Sequence, residues 1–453
     1  MKFPKRPPNY ENLILEARKS GRLADVLTTP VTDSYEHWSK VRYREPPTGL
    51  SREEHWLALK CQRLQHLTTL PLFDARKCPH AVAVMPLLQE LLHHIDLSCG
   101  SRVGLPAPLT DEATKTRYVL GSLMDEGIHS SLLEGAATTR AKAKALIQSG
   151  RKPRNVADWM VVNNFSVMRR IVRSWKDQPL TPELILQMHR EMTTNTLEVP
   201  EQCGRLRVTE DGPITVQDSI TGDVYHTPPP PDELEERMQK LCDYANGDQD
   251  QSFTHPVVRA IILHYWLAFD HPFVDGNGRT ARALFYWFML RYDYKLFEYI
   301  SISTVILEAP AKYYTAFLHT QTDDNDLTYF ILQQARVIEK AMTALHHDAE
   351  SKAQELVSSQ QLLKDWSLNH RQRDLISYAL KHPGMVYSSR AHADSHNITM
   401  ETARTDLKQL VGFELLLTTR GQGRQMILEV PADLVERIMK GPNDSSLSQV
   451  EPP

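Results

Sequence analysis

Along most of the chain apolar residues recur three and four positions apart, the spacing that lines one face of an α-helix. The pattern predicts helices over Ala157–Trp175, Pro182–Thr194, Asp232–Asn246, Pro256–Phe269 and Arg279–Tyr292. Residues 259–269, RAIILHYWLAF, are apolar on nearly every side and predict a helix buried in a core. Residues 1–112 hold apolar positions at mixed helical spacing, as in Trp56, Leu57, Leu59, Cys61 and Leu64. Breaks at Pro46-Pro47 and 104–108 interrupt them, and a helical N-terminal region is expected. From 113 to 345 one helical pattern follows another. One stretch departs from it. Ile214, Val216, Val224 and Tyr225 flank a Thr-Gly-Asp turn and predict a short hairpin, ended by four prolines at 228–231.

Beyond 345 the character changes. Residues 346–370 are polar and helical in composition, and read as a connector. Residues 371–432 predict two or three short helices, then two strands around Gly421-Gln422-Gly423. That order is similar to a winged helix-turn-helix, with Thr399–Gln409 as its recognition helix. Residues 433–453 read as a tail, disordered at its polar end. The fold class expected is mostly α.

Composition narrows the function classes. With 52 basic and 56 acidic side chains the net charge is −4, so no global basic field draws the chain onto nucleic acid. Thr402, Arg404, Thr405 and Lys408 on the recognition helix, with Arg420 and Arg424 at the wing, offer a local DNA contact instead. A protein contact through the wing competes with it. The five cysteines are odd in number and scattered, which fits neither a disulfide framework nor a zinc ribbon. The N-terminus lacks the apolar stretch of a signal peptide, and no apolar run reaches the ~20 residues that span a bilayer. The expected setting is a reducing, bacterial cytoplasm, with no membrane partner.

The chemistry concentrates in residues 271–282, HPFVDGNGRTAR. His271, at the mouth of the buried helix, suits a base that accepts a proton from a hydroxyl. Taken alone, a core histidine satisfied by a backbone carbonyl is the blander account, and His264 fits that. Asp275 suits Mg²⁺ beside a phosphate, or a plain helix N-cap. Gly276-Asn277-Gly278 lets backbone N–H groups approach an anion at a helix start. Arg279 and Arg282, three apart, share a helix face and suit a polyphosphate. Phe273 anchors the loop in the core. Each element alone reads as ordinary structure; in this order they reinforce one another.

The twelve residues resemble the signature of the Fic family, His-x-Phe-x-Asp/Glu-Gly-Asn-Gly-Arg-x-x-Arg, at every specified position. Residues 255–273, Gly204–Arg207, Tyr313-Tyr314 and DNDLTYFIL are similar to family segments, so the resemblance covers about 113–345. HWSKVRYREPPTGLSREEHWLALK is similar to the leader of some Fic proteins. The resemblance implies transfer of AMP from ATP to a Ser, Thr or Tyr hydroxyl of a target protein, or of the chain itself. It implies His271 as general base and Asp275 on Mg²⁺, with Mn²⁺ as an alternative. Gly276, Asn277 and Gly278 would form the anion cradle, and Arg279 and Arg282 would hold the β- and γ-phosphates. The hairpin with Val216, Val224 and Tyr225 would be a flap that aligns an extended target segment. Family members with lysine at the position of Gly278 look like kinases; glycine favours nucleotidyl transfer.

Ser130-Ser131-Leu132-Leu133-Glu134-Gly135 resembles the family's inhibitory motif, at the end of a helix over about 120–135. The plain reading is a helix end, with Ser130 and Glu134 on one side and Gly135 as the stop. The resemblance implies that Glu134 pairs with Arg282 and excludes productive ATP. It also leaves open AMP removal, another phosphodiester donor, or a DNA-binding regulator whose Fic core only senses nucleotide. A homodimer is expected by analogy with inhibited relatives.

Overall fold

The computed structural model describes residues 3–100, 112–217, 222–247, 253–380, 385–396, 398–420 and 426–441. They fall into two compact units, Met1–His346 and His347–Pro453.

The first unit opens with α1 (Tyr10–Lys19), α2 (Leu23–Thr28), α3 (Trp38–Val41) and α4 (Arg52–Leu64). α4 starts at a reciprocal cap: Glu54 N–H donates to Ser51 Oγ (3.1 Å), and Ser51 N–H donates to the Glu54 carboxylate (2.7 Å). The region is not wholly helical, as its spacing had suggested. Strands β1 (Leu67–Phe73) and β2 (Pro79–Ala83) form an antiparallel hairpin, with Leu67 opposite Ala83 and Phe73 opposite Pro79. The outer edge of β2 is paired too: Leu327 N–H donates to the Ala81 carbonyl at 2.8 Å. α5 (Pro86–Gly100) follows. Buried charges tie α4 to the rest of the unit. Lys60 Nζ lies 2.5 Å from Asp323 Oδ1, and the Tyr329 hydroxyl accepts from Arg63 (2.6 Å) while donating to Asp323 (2.7 Å).

Then come α6 (Glu112–Leu133), α7 (Arg140–Ser149), α8 (Val156–Arg173) and α9 (Pro182–Thr193). A small antiparallel hairpin follows, β3 (Val216–Gln217) with β4 (Val224–His226), in which Val216 faces His226. Residues 218–221, which carry the start of the expected Thr-Gly-Asp turn, lie outside the described residues. α10 (Leu234–Asn246), α11 (Pro256–Asp270), α12 (Asn277–Arg291), α13 (Ile302–Glu308), α14 (Pro310–Thr322) and α15 (Thr328–Leu362) complete the series. One hydrophobic core gathers side chains from β1 to α15. α11 and α12 run through it: residues 257–267 and 279–290 are all buried. A helix apolar all round has no solvent face to keep, so it takes the centre. The loop that joins these two helices is 271–276.

The boundary between the units falls inside α15, so the expected connector is in its first part a continuous helix. The second unit holds α16 (His370–Ala379), β5 (Val386–Tyr387), α17 (Ser389–His396), α18 (Met400–Gly412), β6 (Leu417–Arg420), β7 (Met426–Glu429) and α19 (Leu434–Lys440). Its sheet has the order β5-β7-β6, antiparallel throughout. Leu375, Ile376, Leu407, Leu410 and Leu428 form its core with Leu434 and Ile438 of α19. The tail expected from 433 therefore starts as a packed helix. Arg371 and Asn369 donate to the buried Asp406 carboxylate at 2.7 Å each, which fixes α16 against α18.

Candidate active site

The site forms where α11 stops and α12 starts. His271 caps α11 in the left-handed conformation (φ 47°), which turns the chain sharply out of the helix. Gly276 (φ 85°) then turns it into α12, whose N-terminus no side chain caps. The first N–H groups of α12 thus point out of the helix with its positive end, an arrangement suited to an anion. A Cβ at Gly276 would come 2.7 Å from Thr193 Cγ2, so glycine is required by space as well as by φ.

The His271 ring is half-buried. Its Nδ1–H donates, at 3.4 Å, to the Ala268 carbonyl, which leaves Nε2 as the accepting nitrogen. Burial holds its pKa below the ordinary histidine value, against the raising influence of that carbonyl and of Glu134. The ring is therefore neutral near pH 7, the form a base needs. The backbone of His271 is gripped from the side. Arg207 Nε donates to the His271 carbonyl (2.8 Å), Arg207 N–H donates to the Pro272 carbonyl (2.9 Å), and its far nitrogen reaches the Pro229 carbonyl. From β4, His226 Nε2 donates to the Phe269 carbonyl at 2.6 Å, anchoring the hairpin beside the turn.

Asp275 is exposed. Its Oδ1 accepts from Gly276 N–H (2.6 Å), and Oδ2 lies 3.3 Å from Arg279 Nη2. An exposed carboxylate on a turn suits a hard cation that keeps several waters and borrows phosphate oxygens. Among the described residues no group of three or more His, Cys, Asp or Glu side chains could hold a metal, so any ion here would lean on Asp275 and on the nucleotide.

Two expected phosphate ligands are differently employed. The Asn277 side chain is buried and braces the loop: Oδ1 accepts from Phe273 N–H and Nδ2 donates to the Phe273 carbonyl, both at 2.9 Å. The polar cradle is therefore backbone, without the Asn277 amide. Arg279 is fully buried beneath the loop, committed to Asp275 and to the Met192 carbonyl (3.4 Å), with its Nε unpartnered among the described residues. In this state it steadies Asp275 and does not face an open cleft. Phe273 is fully buried, as its role as an anchor requires. His264 is buried too, although Nε2 meets the Tyr313 hydroxyl (3.0 Å) and not a backbone carbonyl.

Arg282 meets the end of α6. Its Nε donates to Ser130 Oγ (2.8 Å), and Nη2 donates to the Ser130 carbonyl (2.9 Å) and to Glu134 Oε1 (2.9 Å). Burial alone would push the Arg282 guanidinium down, yet the facing Glu134 carboxylate holds it above its ordinary value. Leu133 ends α6 and Gly135 (φ 85°) turns the chain away, so Glu134 is delivered at a helix end as its spacing suggested. The same carboxylate fills the space in front of Gly278. A Cβ there would collide with Glu134 Oε1, stand 2.8 Å from Glu134 Cδ and 3.2 Å from Arg282 Nη1. The Glu126 carboxylate, two turns earlier on α6, is buried and accepts from Tyr286 Oη (2.9 Å), Ser301 Oγ (2.9 Å) and Ser303 N–H (3.1 Å). It pins α6 to α12 and α13.

Three residues of this site were not singled out by their chemistry in the sequence: Arg207, His226 and His189. His189 on α9 is fully buried, its ring stacked on Phe273 at 3.7 Å. Burial pushes its pKa down to about 4. Val216 and Tyr225 of the hairpin are half-buried and Val224 is exposed. Elsewhere, α18 presents Arg404, Thr405 and Lys408 outward, opposite buried Ala403, Leu407 and Leu410, with Thr402 half-buried at its start. Arg420 ends β6, and Arg424 lies outside the described residues.

Parts of the chain are similar to known proteins. The model of the Fic/DOC family matches residues 179–289. The protein adenylyltransferase Fic of Nematostella vectensis is 27% identical over 288 residues, 61% of either chain. The protein adenylyltransferase fic-1 of Caenorhabditis elegans is 29% identical over 172 residues, 36% of this chain and 31% of that one. The chain thus spans about three fifths of the first relative's length and about a third of the second's. These relatives are animal proteins and lend the expected bacterial source no support. A Fic family protein of Desulfovibrio desulfuricans has the same fold: TM-score 0.50 at 20% identity, over 77% of this chain and 97% of that one. No helix among the described residues is long and apolar enough to cross a membrane. The matched segment, which holds the signature at 271–282 and the loop and helix that present it, makes residues 179–289 a Fic domain.

Proposed function

We propose that the protein is an adenylyltransferase that moves AMP from ATP to a hydroxyl of a protein, and that Glu134 holds it in a self-inhibited state. The observation that carries this reading is a neutral His271, with Nε2 free to accept, one six-residue loop away from an uncapped helix N-terminus. His271 Nε2 takes the proton of a target Ser, Thr or Tyr hydroxyl. The oxygen attacks the α-phosphorus, and the bond to the bridging oxygen breaks to release pyrophosphate. Such a transfer needs alignment and charge neutralisation more than covalent help. The N–H groups of Asn277 and Gly278 hold phosphate oxygens, while that of Gly276 is held by Asp275. Asp275 fits Mg²⁺ or Mn²⁺, which would neutralise charge on the α- and β-phosphates. Arg282 holds the terminal phosphate once Glu134 has left it. The hairpin with Val216, Val224 and Tyr225 supports an extended target segment by strand-like hydrogen bonds.

Self-inhibition rests on exclusion. Arg282 cannot bind a phosphate while it binds a carboxylate, and the carboxylate occupies the front of Gly278. The test is label from α-³²P-ATP, with wild type beside Glu134→Gly and His271→Ala. Label that rises in the first variant and vanishes in Glu134→Gly/His271→Ala supports the reading; equal label in all of them sinks it. For the second unit we propose a winged helix-turn-helix with a nucleic-acid contact, supported by the outward Arg404, Thr405 and Lys408 on one face of α18. Salt-sensitive duplex binding that Arg404→Ala/Lys408→Ala weakens would support it; unchanged binding would refute it.

A further inference from the structure

We propose that His189 is a positioning residue for the 271–276 loop: its imidazole bridges the Gly204 N–H and the Asp275 carbonyl and so sets where the Asp275 carboxylate stands. The inference rests on the reading of Asp275 as the carboxylate that meets the metal–nucleotide complex. Gly204 N–H donates to His189 Nδ1 at 3.1 Å, and Nε2 donates to the Asp275 carbonyl at 2.8 Å. A carbonyl can only accept and an amide N–H can only donate, so both bonds require one tautomer, with the proton on Nε2.

The ring is fully buried and held between surfaces. It stacks on Phe273 with an interplanar angle of 7°. Gly276 presses against its other edge, where a Cβ would lie 3.3 Å from His189 Cδ2 and Nε2. Gly204 comes in just as closely: its φ is 77°, and a Cβ would lie 2.6 Å from Arg190 Nε. Three segments distant in sequence, α9, residue 204 and the signature loop, therefore meet on one imidazole. The Asp275 side chain, 55% exposed, is held by neighbours in its own turn, Gly276 N–H at 2.6 Å and Arg279 at 3.3 Å, and these fix it relative to the loop but not the loop itself. Backbone placement by His189 is what gives that carboxylate a defined origin. This is the role that outer partners play around metal ligands, where their loss commonly weakens metal binding about 10- to 100-fold.

The experiment uses the full chain with Glu134→Gly as background and compares His189→Gln, His189→Asn and His189→Ala. Gln keeps an N–H donor near the position of Nε2. Asn keeps an acceptor near Nδ1 but loses the donor to Asp275. Ala loses both. Mn²⁺ is titrated with saturating α,β-methylene ATP and followed by electron paramagnetic resonance; Tm and AMP transfer are measured alongside. The expected result is an Mn²⁺ half-saturation raised about tenfold or more by Asn and Ala, and by less than about threefold by Gln. Mn²⁺ affinity that merely follows Tm across the three variants overturns the proposal, as does wild-type affinity in His189→Asn. The expected Mn²⁺ pattern with no AMP transfer in the background chain supports the positioning role and overturns the transferase reading.

Discussion

Replacing Glu134 by glycine removes one carboxylate from a guanidinium that is otherwise sealed in the core. The Oε1–Nη2 distance is 2.9 Å, and the side chains are 24% and 2% exposed. A hydrogen bond to a charged group contributes about 1.5–3 kcal/mol net. Arg282 keeps Ser130 Oγ and the Ser130 carbonyl after the change, so it is not left bare. Without nucleotide, Glu134→Gly should therefore lose about 1.5–3 kcal/mol of stability. ATP binding should gain by the same amount, because the phosphate no longer has to displace the carboxylate. That gain is about 10- to 150-fold in Kd. Glu134→Gln keeps a hydrogen bond to the charged guanidinium but loses the opposing charge, and should fall between. Calorimetric titration of Mg²⁺·ATP, beside auto-modification with α-³²P-ATP, reads both effects. The reasoning is refuted if the affinities of the three proteins do not rank glycine, glutamine, glutamate, or if Glu134→Gly is as stable as wild type without ATP.

Gly278→Ala should reverse sign with its background. Alone it evicts Glu134 and destabilises, whereas in Glu134→Gly the main obstacle is gone, Arg282 Nη1 at 3.2 Å needs only a small shift, and alanine's better helix propensity adds up to about 1 kcal/mol; a urea double-mutant cycle with no coupling would contradict this. Glu126→Gln turns an acceptor of several hydrogen bonds into a partial donor, and should cost about 2–4 kcal/mol while loosening α6 and raising auto-modification; wild-type labelling would refute the link. Burial pushes His80, His189 and His226 down to about 4, below their unfolded value near 6.5. Each thus contributes stability present above pH 6.5 and lost as pH falls from there towards 4, at about 1.4 kcal/mol per pH unit. Asp270 and Asp326, raised by burial, act in the opposite sense. Urea midpoints should drop between pH 7 and 5, and a flat profile would show that these rings titrate normally. Asp323→Ala leaves the buried Lys60 to the exposed Asp324 carboxylate at 3.3 Å and should destabilise by up to about 3–5 kcal/mol; a smaller loss in Lys60→Met/Asp323→Leu would confirm that the poorly compensated charge is the cause.

Where local signals were strong the chain could be read closely. Thr181 before Pro182 caps α9, Pro256 opens α11, and the near-continuous apolar run of α11 matches its burial. The hairpin β1–β2 escaped because Pro71 sits inside its first strand and its outer pairing lies with Asn325 and Leu327, far along the chain. The signature marked its own stretch, the spacing of Ser130 and Glu134 put them on one side of a helix end, and the resemblance paired Glu134 with Arg282. It did not show that Asn277 is consumed in bracing the loop, nor that Arg279 is sealed beneath it. Arg207 and His189 were illegible as site residues for a common reason: each acts on backbone carbonyls of the signature, and no side-chain pattern records which carbonyl a distant residue will meet. Sequence pattern reports composition along a face; such contacts depend on how separate faces close.

The absent methyl group at Gly278 constrains the order in which this chain could change. The volume beside its Cα already belongs to the Glu134 carboxylate. Any larger residue at 278 must therefore displace that carboxylate from Arg282 or arrive together with its loss. Under the proposed self-inhibition, a change that enlarges position 278 would therefore release the restraint in the same step as it reshapes the nucleotide site. On that reading, control and donor placement are linked in inheritance, although they are written some 140 residues apart in the sequence.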